Sequence, residues 1–406
     1  MPELSLDLQR VNGLSSGFHT AFGAWPNRFF SAPGRTELGG NHTDHQGGHV
    51  LAAAITLDIA AAVRATGRKE IRLQSGPRSS FVVSLDELDP AAQDAGTPAA
   101  LIRGVAQRMR QLGCPVGGFD AYLDSCLPAG VGLSSSAAFS VLLAVVMNGL
   151  FGGGKLEPSA LAAAAQYAEN VHFGKPCGCM DQLASALGGL VAMDFSGKTL
   201  ARRVNFDFST CGHALCMVDT RAGHARLTGE YAAVTREMGA VCACFGKTSL
   251  SQIAESEFYG AVAKLRKRVG DRAVLRAIHY YQEDRRVPEQ VAALETGDFP
   301  RFLQLVKQSG YSSYMYLQNV ILSGAKRSQP MALVLALCEH YLAGRGAYRV
   351  HGGGFAGAVQ AFVPEDRLEA FQSGMEDALG KNCCRVLAVR PQGAGEAGPA
   401  GEICHG

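Results

Sequence analysis

The spacing of apolar and polar residues changes period again and again along this chain. Residues 159–171 and 231–245 read as helices, while 72–83, 118–127, 214–219 and 359–363 read as strands. The longest apolar run, 137–151, is broken by Ser140, Asn148 and Gly149 and is too short to span a bilayer, so it predicts a buried helix. The two kinds of segment interleave from end to end without a repeat of fixed period, which predicts an α/β chain of the α+β type. At 406 residues it exceeds what one compact core holds, so two domains are expected. Polar residues 198–203 follow a Gly/Ala-rich stretch and a new strand begins soon after, which sets the expected halves at 1–205 and 206–406. Loops are expected at 94–98 and 152–158, and 392–406, rich in Gly, Ala and Glu, reads as a tail that is mobile at its end.

Composition narrows the function by exclusion. The chain is 47% apolar and 18% charged with a formal net charge of +2, a balance that asks for neither nucleic acid nor an anionic membrane as partner. A chain of this size needs no second copy to fold, so a monomer is expected. Glu3, Asp7 and Arg10 interrupt the N-terminal leucines, which is unlike a secretory signal, and a cytoplasmic protein is expected. Twelve cysteines are then expected as reduced thiols, and the pairs Cys177/Cys179, Cys242/Cys244 and Cys383/Cys384 lack the two-residue gap of structural zinc sites.

Four segments carry candidate chemistry. In Leu127-Pro-Ala-Gly-Val-Gly-Leu-Ser-Ser-Ser-Ala-Ala138 a strand runs through a Gly/Ser loop into an apolar helix. Gly130 and Gly132 allow close approach, and the free N–H groups of the first helical turn make an anion site to which Ser134, Ser135 and Ser136 add hydroxyls. Taken alone, the same loop reads as a helix with serine N-caps. Upstream, residues 32–48 gather Arg35, Glu37, Asn41, His42, Asp44, His45 and Gln46 among glycines. That stretch reads as poor core material and as a grip for a polyol, with Asp44 accepting from two neighbouring hydroxyls. A metal held by His42, Asp44, His45 and His49 is the alternative there, although the helical spacing of a zinc site is missing. The third segment runs from Glu169 to Gln182 and ends in Cys-Gly-Cys-Met-Asp-Gln; by pattern alone Glu169 passes for an exposed helix end and Asp181 for an N-cap. In the fourth, Gly352, Gly354 and Gly357 match a dinucleotide-binding spacing, but residues 358–364 alternate like a strand where a helix would have to open.

With these segments in this order over nearly its whole length, the chain resembles galactokinases and, more broadly, the GHMP kinase superfamily. Residues 34–48 resemble the signature Gly-Arg-Val-Asn-Leu-Ile-Gly-Glu-His-Thr-Asp-Tyr-Asn-Gly-Gly, residues 132–137 the Gly-Leu-Ser-Ser-Ser-Ala phosphate loop, residues 177–182 the stretch Cys-Gly-Ile-Met-Asp-Gln, and residues 352–357 the C-terminal Gly-Gly-Gly-Phe-Gly-Gly loop. The resemblance implies a two-domain kinase fold with its active site in the cleft between halves, ATP as cosubstrate, Mg²⁺, and transfer of a phosphoryl group to the 1-hydroxyl of galactose. It implies Asp181 as base, Arg35 as its electrostatic partner, Ser136 and Glu169 as Mg²⁺ ligands, and Gly130, Gly132, Leu133, Ser134, Ser135 and Ser136 around the nucleotide. Asn41, His42, Asp44, Gly178 and Tyr231 would line the sugar pocket. The match departs at Asn41, where galactokinases carry a glutamate, at His45 and Gln46, where they carry Tyr-Asn, and at 99–104, which lacks Trp-x-Asn-Tyr. A kinase for another galactose-like sugar (N-acetylgalactosamine, galacturonate or arabinose) and a non-catalytic ATP and galactose sensor are the alternatives.

Overall fold

The computed structural model describes residues 4–76, 79–128, 132–175, 177–222 and 227–399. A large sheet organises the N-terminal half, with strands in the order Gly395–Glu396, Arg28–Gly39, His49–Ala65, Phe119–Ser125, Glu70–Ser75 and Ser79–Ser84. The long strand His49–Ala65 changes neighbour along its length. Ile59 to Ala65 pair with Phe119–Ser125, whereas His49 to Ala53 pair with Leu190–Asp194, which in turn pairs with Leu200–Val204. Side chains alternate between the two faces as the pleat requires. Phe29, Ala60 and Ala62 meet Val11, Leu14 and Phe18 of the helix Leu8–Phe22, while Phe30, Ala61 and Val63 belong to the main core on the other face. That face is covered by the helices Pro98–Gln111, Ser135–Leu150, Pro158–Tyr167 and Met180–Leu187.

A second, antiparallel sheet runs Ala347–Val350, Ala358–Pro364, His213–Asp219, Cys384–Leu387. Cys216 and Val218 point to one side, into a cluster with Met331, Val334, Phe371 and Met375 from the helices Pro330–Leu342 and Leu368–Leu379. Leu215, Met217 and Phe362 point to the other side and join the same core as the N-terminal sheet, through Phe302, Leu305 and Val306 of the helix Phe299–Ser312. The two sheets are therefore buried against one continuous apolar interior. A third group of helices, Thr228–Cys244, Glu255–Val269 and the long Asp271–Glu295, packs around Val234, Met238, Phe258 and Tyr280.

Three expectations change. Residues 392–406 are not simply a tail. Gly395 pairs with Ser31, because the outer edge of Arg28–Gly39 offers unpaired backbone groups and Arg28 Nε reaches Glu396 Oε1 at 2.6 Å, and Gly398 pairs in a separate two-stranded ladder with Ser5. Residues 400–406 lie outside the described residues. Residues 72–83 are a hairpin of two strands rather than one. Helix 159–171 ends as an α-helix at Tyr167 and continues as a single π-helical turn, Ala168–Phe173. Among the described residues no helix is long and apolar enough to cross a membrane, and the cysteines are free.

Candidate active site

The Gly/Ser loop delivers its serines in an unusual way. Ser134 adopts the left-handed conformation, φ 55° and ψ 50°, immediately before the helix Ser135–Leu150, and its side chain makes no capping bond to that helix. Its hydroxyl instead donates to Asp181 Oδ2. The N–H groups of the first helical turn thus keep no serine cap, and the dipole end stays available to an anion. Leu133 is buried and anchors the loop, while the Gly132 carbonyl accepts from Arg35 Nη1 at 2.6 Å. Gly130 lies outside the described residues.

Asp181 sits in the first turn of Met180–Leu187, so it is no N-cap. Its Oδ1 accepts from Arg35 Nε at 2.7 Å while Oδ2 accepts from Ser134. Burial works against its charge, but the Arg35 guanidinium, with help from Lys175 and the Ser134 hydroxyl, holds the carboxyl below its ordinary pKa. Arg35 is itself only 6% exposed, held midway along Arg28–Gly39. An ionised carboxylate fixed on both oxygens therefore faces the open end of a helix, drawn from three elements 47 to 146 residues apart.

Glu169 belongs to the π-helical turn and is 1% exposed, which disposes of the exposed helix end. Single π turns interrupt helices where a side chain must be re-aimed. Gln182 Nε2 donates to Glu169 Oε1 at 3.3 Å, and Lys175 Nζ donates to Glu169 Oε2 at 3.1 Å and to Ser136 Oγ at 3.4 Å. The carboxylate and the hydroxyl so converge on one cationic group. Two hard oxygen donors of this kind suit Mg²⁺. Among the described residues no group of three or more His, Cys, Asp and Glu side chains is gathered as for a metal ion.

The signature stretch is mostly core, against expectation: Arg35, Glu37, Asn41, Thr43 and Gln46 are all buried. The reason is that their polar atoms have partners. Glu37 Oε1 accepts from Arg349 Nη2 at 2.5 Å and from Asn41 Nδ2 at 3.1 Å. Asn41 Nδ2 also donates to the Gly352 carbonyl at 2.6 Å, and its Oδ1 accepts from Asn319 and Ser313. Both ends of this amide are therefore engaged by protein. The quoted signature carries Asn where this chain has Glu37 and Glu where it has Asn41, so acid and amide have exchanged places, and the acid is now spent on Arg349. The long helix Asp271–Glu295 grips the same turn from behind. Glu283 Oε1 accepts from the N–H groups of Gly40 and Asn41 at 3.1 and 3.3 Å, His279 Nε2 lies 2.9 Å from the Asn41 carbonyl, and Asp284 Oδ1 accepts from the His49 N–H at 2.7 Å. Against the opposing effect of burial, Arg286, with Arg349 and the Ser309 hydroxyl, brings the Glu283 carboxyl down to about 2.

His42 has φ 59° and packs Nε2 against the Gly353 carbonyl at 3.1 Å. Burial, with neighbouring His45, lowers its pKa to about 3, so the imidazole is neutral. Gly178 lies against Asp44: a Cβ there would come 2.0 Å from Asp44 Oδ2. Tyr231 donates to the Gly354 carbonyl at 3.2 Å and packs so closely on Gly353 that a Cβ there would come 2.5 Å from its ring. His42 and Tyr231 thus meet at the 352–354 loop, while Gly178 lies against Asp44, two residues from His42. The sequence reading passed over Arg349, Glu283, His279, Asn319 and Lys175. Of these, Lys175 and Arg349 stand within or beside the motif segments, and Glu37, an acid in a strand, signals the need of a buried cation.

Residues 16–65 match the galactokinase galactose-binding signature and residues 100–189 the N-terminal domain of GHMP kinases. A galactokinase of Streptomyces coelicolor is 33% identical over 382 residues, covering 92% of this chain and 95% of the relative. One from Streptomyces lividans is 32% identical over 350 residues, covering 85% and 84%. Among solved structures, Lactococcus lactis galactokinase complexed with galactose superposes with a TM-score of 0.80 at 24% identity, over 95% of this chain and 99% of that one. A mevalonate kinase follows at 0.62 and 16%, over 90% and 100%. With a third of its residues shared over nearly its full length, the chain belongs to the galactokinase family of GHMP kinases.

Proposed function

We propose that this protein transfers the γ-phosphoryl group of ATP to the 1-hydroxyl of galactose, with Asp181 as the base. The observation that carries the reading is the carboxylate clamped between Arg35 and Ser134 at the open N-terminal end of the helix Ser135–Leu150. In such a transfer the transition state is loose and the hydroxyl loses its proton late, so the carboxylate mainly orients the nucleophile and then takes its proton. A base held ionised by Arg35 is suited to that order of events. Leu133, Ser134, Ser135 and the backbone after Gly132, with Gly130 before it, cradle the nucleotide phosphates. Mg²⁺, held by Ser136 and Glu169, would neutralise the charge of the triphosphate. His42, Asp44, Gly178 and Tyr231 form the sugar grip. Asn41 supports it from beneath, because its amide is already bonded on both sides. The protein works as a cytoplasmic monomer with residues 1–205 and 206–406 as its two halves.

That same exchange of Glu37 and Asn41 favours a second reading, a kinase for another galactose-like sugar, since no carboxylate from position 41 meets the substrate. ADP release measured with galactose, N-acetylgalactosamine, galacturonate and arabinose decides between them. The proposal expects galactose to give the highest kcat/KM; a tenfold preference for another sugar would transfer the assignment to it, and no ADP release with any of them would leave a binding protein.

A further inference from the structure

Beyond its help in keeping Asp181 ionised, Lys175 has been given no role, yet it lies between the two groups that would hold a metal ion. Its ammonium donates to Glu169 Oε2 at 3.1 Å and to Ser136 Oγ at 3.4 Å. Glu169 is only 1% exposed and its second oxygen is held by Gln182, so little of this carboxylate reaches solvent. The lysine side chain is half exposed and sits on a flexible four-carbon stem. Where the quoted family stretch begins at the cysteine, this lysine stands two residues before it, on the segment that joins Glu169 to Asp181. One carboxylate oxygen and one hydroxyl that would hold a divalent ion are therefore already shared by a cation of the chain itself.

We propose that Lys175 is a resident competitor for the metal position: it neutralises Glu169 in the empty cleft, keeps a free divalent ion out, and turns onto the phosphates when a nucleotide arrives. The last step rests on the kinase reading above; the competition for Glu169 and Ser136 does not. Two cations cannot share the same pair of oxygens without repelling one another, and a half-exposed lysine gives way only to a ligand that offers it negative charge in exchange.

The test uses Mn²⁺ as probe, titrated against the full-length protein without nucleotide and read from the paramagnetic resonance of the free ion. K175M is expected to bind Mn²⁺ at least about tenfold more tightly than the unaltered protein, K175R to stay with the unaltered protein, and E169Q to remove the gain when added to K175M. In EDTA, K175M is expected to bind ATP at least about fivefold more weakly. Equal Mn²⁺ affinity in K175M and the unaltered protein, or K175R binding Mn²⁺ as tightly as K175M, would overturn the competition; unchanged ATP affinity in EDTA would overturn the turn onto phosphate. Thermal melts check each fold, and K175Q replaces K175M should that variant not fold. Failure of the unaltered protein to phosphorylate any sugar, with the Mn²⁺ shift intact, would defeat the kinase reading and leave the competition standing.

Discussion

A carboxylate that accepts from a guanidinium on one oxygen and a serine hydroxyl on the other is oriented before any substrate arrives. Because Arg35, Lys175 and Ser134 together offset burial and keep Asp181 below the usual carboxylate range, its protonation does not limit turnover near neutral pH. At the proposed sugar grip, space counts as much as charge. Gly178 lies where any side chain would strike the Asp44 carboxylate, so G178A is predicted to raise the sugar KM by about tenfold or more while leaving the ATP KM within about threefold, as steady-state kinetics with each substrate varied would report. Much at this scale was legible in the sequence. The Gly/Ser loop leading into an apolar helix locates the helix start, although taken alone it reads equally as a serine-capped helix, and the polar, glycine-rich signature announces hydrogen bonding. What could not be read was that Ser134 gives its hydroxyl to Asp181 instead of capping its helix, since the two residues meet only through the fold.

Among the elements, the helix Asp271–Glu295 matters most to the site although it bears none of the family motifs. Through His279, Glu283 and Asp284 it fixes the backbone of residues 40–49, and so the positions of His42 and Asp44. The strands Arg28–Gly39 and Ala347–Val350 are tied by the Glu37–Arg349 pair, in which Arg349 is fully buried. Removing one partner strands a buried charge, so R349M is predicted to lower unfolding stability by about 3–5 kcal/mol, measured by urea denaturation. A loss below about 1 kcal/mol would mean that Glu37 is readily protonated or hydrated. The pairing joins residues 312 positions apart, beyond the reach of any local pattern, and this is why the signature read as poor core material when it is in fact buried. The π turn that sinks Glu169 was equally invisible, because a helix pattern does not show where one extra residue enters a turn.

For the whole molecule, buried imidazoles set the response to acid. His279 and His351 are almost wholly buried, and burial above all holds both below the ordinary histidine pKa. Their native forms are neutral while the unfolded chain takes up protons near pH 6.5, so the unfolded state binds more protons as pH falls. The histidine contribution to stability is therefore full above about pH 6.5 and declines below it by up to about 1.4 kcal/mol per pH unit for each of these residues and for His42, until the native values are reached. Denaturation midpoints between pH 7.5 and 5 are predicted to fall in step, and a midpoint that holds constant across that range would contradict it. The architecture itself was read correctly as mixed α/β, because helix and strand periods interleave throughout. The return of Gly395–Glu396 to the edge of the first sheet was not, since a two-residue strand has no period to read.

All of this turns on whether the Asp181 carboxylate takes part in the reaction. The direct measurement is the steady-state rate of galactose phosphorylation by D181N beside the unaltered protein, with melting curves to show that both are folded. A fall in kcat of at least about a thousandfold, with KM for ATP and for galactose within about threefold, is the predicted result; a D181N enzyme that turns over within tenfold of the unaltered one would contradict it.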